Sequence, residues 1–212
     1  MARAGQRSRL AKPHRRRYDG NVRRTESAMS PHIALLRAVN VGGRKVLKDD
    51  LLGLAQDLGF DDAKTLLASG NLVLWGKGGP LKSNVDADIE ARLEDGLEKR
   101  MGLRTDFMVR SPAELKTIIA DNPWPDLATE RPGHLVVNFL KHPVPAADVE
   151  VLRAAITGRE RVEAHGRELY VDFIDGIGES MLDRDWKKTK RAPVGTARNW
   201  NTVLKLAAMV GL

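Results

Sequence analysis

The sequence predicts an α+β fold with two similar halves, each an antiparallel sheet that carries helices on one face. Three observations in the 212 residues support this prediction. Short apolar runs typical of strands alternate with longer stretches of helical periodicity, and turn-forming residues separate two pairs of neighbouring strands. The order strand, helix, strand, strand, helix, strand, helix then occurs twice. Without its last helix, this is the order of a ferredoxin-like split βαβ unit, so we expect two duplicated ferredoxin-like halves.

Local patterns place the elements of the first half. Leucines recur at helical spacing up to Gly59, and Gly70 allows the tight turn of a hairpin. Ser111, Pro112 and Glu114 are a typical start of a helix, because Ser and Glu at this spacing form a capping box. The predicted elements are a strand at 32–39, a helix at 47–58, strands at 64–68 and 72–75, a helix at 85–97, a strand at 105–109 and a helix from 111.

The second half repeats this order. Gly166 again marks a hairpin turn, and Arg198-Asn199 precede the last helix as Arg110-Ser111 precede the last helix of the first half. The predicted elements are a strand at 134–140, a helix at 145–156, strands at 160–164 and 168–173, a helix at 176–188, a short extended segment up to 197 and a final helix from 200.

Composition divides the chain into three parts. Residues 1–29 carry nine Lys or Arg against two acidic residues, a net charge of +7, whereas residues 30–212 hold 26 of each sign. We expect a disordered basic leader at 1–29, since it has few large apolar residues, a first half at 30–125 and a second at 132–212. The leader is interpreted as an upstream extension of the reading frame that ends near Met29. A nucleic-acid-binding tail and a targeting peptide are the alternatives.

Composition also excludes several classes of protein. With no Cys there is neither a disulfide nor a Cys-ligated metal site, and the cytoplasm is the expected compartment. No apolar run approaches the ~20 residues of a transmembrane helix, so no membrane partner is expected. Because the charge of residues 30–212 is balanced, the basic character of the chain gives no support to nucleic-acid binding by that part.

Four segments carry a family resemblance. They read LLRAVNVGG at 35–43, SGN at 69–71, HGRELY at 165–170 and TARNWNTV at 196–203. In these motifs, and in their order from residue 31 to the C-terminus, the sequence resembles the bacterial DUF1697 proteins. The resemblance implies the same duplicated ferredoxin-like fold that the element order predicts. It implies no activity, since the function of that family is unknown.

The residues offer no basis for a defined reaction. P-loop, nucleophile-elbow and HExxH patterns are absent, the five His are scattered, and residues 176–178 are only a fragment of a dinucleotide fingerprint. No catalytic residue, metal or cofactor is therefore predicted. The sequence leaves open whether the protein is an enzyme, and the absence of these motifs favours a protein that is not one.

The loop after the first strand is the first candidate ligand site. Asn40 opens it, and Gly42 and Gly43 free consecutive backbone N–H groups in front of a helix. With Lys45 beside them, these groups can hold a phosphate or a carboxylate. The alternative is a tight strand-to-helix turn with solvated charges.

The start of the final helix is the second candidate. Asn199 fits a helix cap with Thr202 three residues on, and Trp200 fits an anchor in the core. Neither role needs Arg198. Its guanidinium either binds a carboxylate or phosphate of a ligand, or pairs with an internal Asp or Glu and holds the two halves together.

Three further polar residues lie at a strand or a turn. Arg37 interrupts an apolar strand, Ser69 precedes the hairpin turn, and Asn71 follows it, with plain turn formation as the alternative. A common ligand site requires these side chains to converge. The predicted ligand-binding set is Arg37, Asn40, Gly42, Gly43, Lys45, Ser69, Asn71, Arg198 and Asn199, with Trp200 and Thr202 as structural residues.

The leading functional prediction is a cytoplasmic protein that binds a small anionic ligand, a nucleotide or a phosphorylated metabolite, near the junction of the halves. Nucleic-acid binding through an open sheet face and the basic leader ranks second, because such surfaces use exposed aromatic residues, which are few in this chain. A structural or interaction module without a ligand is the third possibility. The sequence predicts no oligomeric state.

Overall fold

A computed structural model describes Met1 and residues 31–38, 40–41, 43–66, 70–76 and 85–212, with the backbone alone for Asn40, Val41 and Arg44. The predicted leader beyond Met1 and the candidates Gly42 and Ser69 lie outside these residues. The described part is α+β, as predicted, with two four-stranded antiparallel sheets, a short two-stranded one and seven α-helices. None of these helices combines the length and apolar character needed to cross a bilayer.

The first sheet and its helices come from the first half of the chain. The predicted capping box opens the last helix of this half, where the Ser111 hydroxyl accepts from the Glu114 amide (3.2 Å) and Glu114 accepts from the Ser111 amide (2.8 Å). The elements are β1 (His32–Leu36), the short pair β2 (Asn40–Val41) and β3 (Arg44–Lys45), α1 (Lys48–Asp57), β4 (Asp62–Leu66), β5 (Asn71–Trp75), α2 (Val85–Met101), β6 (Phe107–Arg110) and α3 (Pro112–Ala120).

The second sheet and its helices follow after a short connecting helix. Asn199 caps the last helix as predicted, since its side chain accepts from the amide (3.0 Å) and the hydroxyl (2.9 Å) of Thr202. The elements are α4 (Pro125–Glu130), β7 (Leu135–Leu140), α5 (Ala146–Ala154), β8 (Arg161–His165), β9 (Glu168–Asp172), a 3₁₀ helix (Ile177–Glu179), α6 (Leu182–Thr189), β10 (Gly195–Asn199) and α7 (Trp200–Met209).

The two sheets have the same strand order. The first runs β4-β5-β1-β6 and the second runs β8-β9-β7-β10, with every neighbouring pair antiparallel. In each sheet the first strand of the half lies between the hairpin and the last strand. β6 and β10 are therefore equivalent edge strands, and each leads directly into a terminal helix, α3 or α7.

Three apolar clusters arrange the elements in layers. One cluster packs α1 and α2 on the outer face of the first sheet, and another packs α5 and α6 on the outer face of the second. Between the sheets, side chains such as Ile33 and Val137 pack with α3 and α7 in a shared central cluster. The central strands are thus covered on both faces.

Two connecting segments are more structured than predicted. The segment at 40–45, predicted as a loop, pairs with itself as β2 and β3. Gly43 has φ +80° in the turn between them, a conformation that glycine adopts without steric cost. The segment at 122–133, for which the sequence analysis places no helix or strand, contains α4. Pro125 is its first residue, where the missing N–H is not needed.

The helix predicted at 176–188 is divided in the structure. Gly176 has φ +96°, which is incompatible with a helix, and the 3₁₀ turn follows it. The Ser180 hydroxyl then accepts from the Leu182 amide (3.1 Å) at the start of α6. The apolar residues on both sides of this break follow one helical periodicity, so the sequence does not reveal the break.

Candidate functional site

A cavity of about 340 Å³ opens between β3, the start of α1 and the turn that joins β4 to β5. Two of the segments that the sequence selected, the one at 40–45 and the turn at 69–71, therefore contribute to the same cavity. Among the described residues, its lining consists of Lys45, Val46, Leu47, Lys48, Asp49, Leu51, Thr65 and Gly70.

Lys45 and Lys48 give this cavity its positive charge. Both are exposed, and neither forms an ion pair or a side-chain hydrogen bond with a residue that the structure describes. Lys48 is also the first residue of α1, where unpaired N–H groups add a partial positive charge. Asp50 accepts from the Leu47 amide (2.8 Å) and Asp49 lines the cavity, which balances part of this field. Among the described lining residues, Lys45 and Lys48 carry two positive charges against the one negative charge of Asp49, and this excess favours an anion.

The turn at the other side of the cavity is held by Asn71. Gly70, which lines the cavity, has φ +72° as a tight turn requires. Asn71 is fully buried, and its amide donates to the Leu66 carbonyl (2.9 Å). Its side-chain oxygen accepts from Nε of Arg198 (2.5 Å). Asn71 therefore forms the turn and also connects it to the second half of the chain.

Arg198 joins the edge strand of the second sheet to the first half. Its Nη1 donates to the Thr196 hydroxyl and the Ala197 carbonyl (both 2.7 Å), and its Nη2 donates to the Leu36 carbonyl (3.0 Å). Burial, with 8% of the residue exposed, lowers the pKa of Arg198 to about 10. This geometry is that of a link between the halves, although these acceptors are uncharged groups and not the Asp or Glu that the sequence analysis considered.

Two other candidates are Arg37, which has a different partner, and Asn40, of which the structure describes only the backbone. Arg37 follows β1 and points to Asp106, with which it forms an ion pair (2.9 Å) at the surface. The backbone of Asn40 pairs with Lys45 in the β2–β3 hairpin, and its side chain lies outside the described residues. The structure thus brings the side chains of Asn71 and Arg198 into contact, whereas the side chain of Arg37 pairs with Asp106.

Asn199, Trp200 and Thr202 serve the start of α7. Asn199 caps the helix through Thr202, and Trp200 is buried in the central cluster between the sheets. Asn199 lines a different cavity, on the outer face of the second sheet. These residues position the end of β10, which carries Arg198.

A second buried arginine, which the sequence analysis did not select, makes the matching contact in the opposite direction. Arg110, 1% exposed, ends β6, and its Nε pairs with Glu168 at the start of β9 (2.7 Å). Its Nη2 donates to the Leu140 carbonyl (2.9 Å) at the end of β7, just as Arg198 donates to the Leu36 carbonyl at the end of β1. The two halves are therefore linked reciprocally.

Carboxylates of α2 form a further contact between the halves. Glu90 and Glu94 accept from the amides of Val109 (2.8 Å) and Phe107 (2.9 Å) on the edge strand β6. Lys141, from the second half, pairs with both carboxylates. The edge of β6 is thus closed, because N–H groups that an edge strand would expose have acceptors.

Asp86 and Glu114 both face Arg167 at the same boundary (3.2 and 2.7 Å). Burial and the negative charge of Glu114 raise the pKa of Asp86 to about 6. Burial opposes ionisation of Glu114 as well, but hydrogen bonds from Ser111 and Arg167 outweigh it and lower the pKa of Glu114 to about 2. Between these values the pair holds one proton. Within the described residues, no group of three or more His, Asp or Glu is arranged to hold a metal ion.

Comparisons with known proteins describe the chain by family and by fold. A family model described as "Protein of unknown function (DUF1697)" matches residues 29–170. The chain is also similar to "The structure of conserved bacterial protein SP0830 from Streptococcus pneumoniae", with a TM-score of 0.65 and 18% identity over 87% of this chain and 100% of that one. At this identity the similarity shows the fold alone. No curated protein matches the chain.

Proposed function

The chain belongs to the DUF1697 family, whose function is unknown, and we propose that it binds a small anionic ligand in the cavity between β3, α1 and the β4–β5 turn. The observation that carries the proposal is the pair Lys45 and Lys48, which border the cavity with no partner among the described residues. A nucleotide or a phosphorylated metabolite matches both parts of the cavity, with a phosphate for the lysines and a less polar body for the wall at Val46 and Leu51.

In this proposal the sequence candidates have different roles. Lys45 contacts the ligand, together with Lys48, which the sequence analysis did not select. Asn71 and Arg198 position the turn that closes the cavity at Gly70 and do not contact the ligand themselves. Arg37 takes no part, because its guanidinium is paired with an aspartate at the surface.

We also propose that residues 30–125 and 132–212 are duplicated ferredoxin-like units. The equal strand order of the two sheets supports this, and so does the reciprocal contact of Arg110 and Arg198. The absence of cysteine supports a cytoplasmic location.

Thermal unfolding in the presence of inorganic phosphate, nucleoside monophosphates and sugar phosphates tests the ligand proposal. A ligand that binds only the folded protein stabilises it by about 2.7 kcal/mol at a concentration of about 100 times its Kd. We expect at least one phosphate ester to raise the melting temperature of the wild type, and K45A/K48A to lose this rise. K205A, which removes an exposed lysine of α7 outside the cavity lining, is the matched control and should keep it.

Sodium chloride at the same ionic strength separates specific binding from general charge screening. The proposal is wrong if no phosphate compound raises the melting temperature at millimolar concentration. It is equally wrong if K45A/K48A responds to the compounds as the wild type and K205A do.

A further inference from the structure

The outer face of the second sheet is less covered than that of the first. α2 spans 17 residues and packs on β6, whereas its counterpart α6 spans 8. Val109, the residue before Arg110 in β6, is fully buried under α2. Ala197, the residue before Arg198 in β10, is exposed. The shorter helix thus leaves a strip of sheet open over β10.

A groove of about 370 Å³ follows this strip, between β10 and the 3₁₀ helix, and we call it the β10 groove. Its lining includes the apolar side chains of Val136, Phe173 and Leu182. Ile177, which also lines it, is 49% exposed, and Met181 beside Leu182 is 41% exposed. Large apolar side chains exposed around a groove are typical of a protein interaction site.

The free edge of β10 offers a backbone donor next to the groove. The amide of Lys141, the residue after β7, donates to the Val194 carbonyl (3.0 Å), so the backbone groups of Val194 point toward β7. Along an antiparallel strand the backbone groups of successive residues point alternately toward the neighbouring strand and away from it. The N–H of Ala197, three residues after Val194, therefore points to the free edge. The equivalent N–H of Val109 is bound by Glu90 of α2 (2.8 Å). The Ala197 carbonyl is already occupied by the neighbouring guanidinium (2.7 Å), which disfavours the addition of a strand at this edge.

We propose that the β10 groove binds an amphipathic helix of a partner protein, in the position that α2 takes over the first sheet. The apolar stripe of that helix packs on Phe173, Ile177 and Leu182. Asp183 lines the groove and Glu179 ends the adjoining 3₁₀ helix, so the flank of the bound helix carries Lys or Arg. This surface is separate from the cavity at Lys45, and neither proposal depends on the other.

Fluorescence anisotropy with a short labelled helical peptide of Leu and Lys in an amphipathic pattern tests the proposal. A peptide of the same pattern with Glu in place of Lys is the charge control. We expect saturable binding of the Leu/Lys peptide, and I177S/M181S should weaken it by about tenfold or more, since exposed apolar contacts are lost. V151S, which changes an equally exposed apolar residue on α5 outside the groove, should leave the Kd within about twofold.

A second variant tests the preference of the β10 groove for a positively charged peptide. D183N/E179Q should reduce the preference for the Leu/Lys peptide over the Leu/Glu peptide, because the acidic rim is removed. The proposal is overturned if the Leu/Lys peptide does not bind at millimolar concentration, if I177S/M181S binds as V151S does, or if the two peptides bind the wild type equally. Circular dichroism of each variant confirms that the fold is intact when binding is compared.

Discussion

Arg198 and Arg110 are related by a reciprocal contact between the two halves of the molecule. Arg198 donates to the Leu36 carbonyl at the end of β1, and Arg110 donates to the Leu140 carbonyl at the end of β7. Arg110 is the last residue of β6 and Arg198 the last but one of β10, and each reaches a central strand of the other sheet. Each also meets the side chain that opens the returning strand of the opposite hairpin, at the start of β5 or β9. The pair therefore fixes the position of one sheet relative to the other.

Removing Arg198 should destabilise the protein. R198A removes the hydrogen bonds of the guanidinium to the Leu36 carbonyl and to the Asn71 side-chain oxygen, and we expect a loss of about 2–4 kcal/mol in the free energy of unfolding. R198K should recover part of this loss, because an ammonium group cannot reproduce the forked set of hydrogen bonds. Urea unfolding followed by tryptophan fluorescence measures both values.

R37A is the matched control for R198A. It breaks an arginine ion pair at the surface, so the expected change in the free energy of unfolding is below about 1 kcal/mol. If R198A costs no more than R37A, Arg198 does not stabilise the contact between the halves.

Removing Arg110 should cost more than removing Arg198. R110A leaves the carboxylate of Glu168 charged and buried, and breaking such a pair typically costs about 3–5 kcal/mol. The double variant R110M/E168L removes both charges and should be more stable than R110A. Equal stabilities of R110A and the double variant, measured in urea, would contradict the role of the buried charge.

Stability should fall as the pH rises from about 4 to about 6, and Asp86 is the cause. Its pKa is raised from 3.8 to about 6 in the folded protein, so the folded state binds more protons than the unfolded state in this window. D86N removes the effect and should raise the free energy of unfolding at pH 7 by about 1 kcal/mol, a modest value because the carboxylate is partly solvated.

Glu114 acts in the opposite direction at lower pH. Its pKa is lowered from 4.5 to about 2, so its stabilising contribution is present above pH 4.5 and is lost as the pH falls toward 2. Urea midpoints of the wild type and D86N between pH 4 and 7 isolate the effect of Asp86, because the contribution of Glu114 changes mainly below this range. The same slope in both proteins over this range would show that Asp86 is not responsible.

The parts of the structure that the sequence predicts well are local. Ser111 and Asn199 predict the starts of their helices, because each cap involves a residue only three positions away. Gly70 predicts its turn, because glycine permits the positive φ angle that the turn requires. Trp200, apolar and next to a cap, lies in the central cluster. The α+β class followed from the order of these elements.

The parts of the structure that the sequence does not predict depend on how the two halves pack together. Arg110 and Arg198 both lie near the end of a short edge strand, and the correspondence of Arg110-Ser111 with Arg198-Asn199 is the signal that the sequence offers. Glu168, the partner of Arg110, lies 58 positions away, which no local pattern reveals. The predicted ligand-binding set includes both Arg37 and Arg198, but Arg37 follows β1 and pairs with Asp106 at the surface. Lys48 joins the candidate site only because α1 begins beside the hairpin turn.

The binding of a phosphate compound in the cavity at Lys45, Lys48 and Gly70 is tested most directly by amide chemical shifts. Isotope-labelled protein is titrated with the phosphate ester that raises the melting temperature most. We predict saturable shifts at Lys45, Lys48 and Gly70, with one Kd for all three, and their loss in K45A/K48A but not in K205A. Saturable shifts confined to other surfaces, or unchanged shifts in K45A/K48A, would contradict the proposed site.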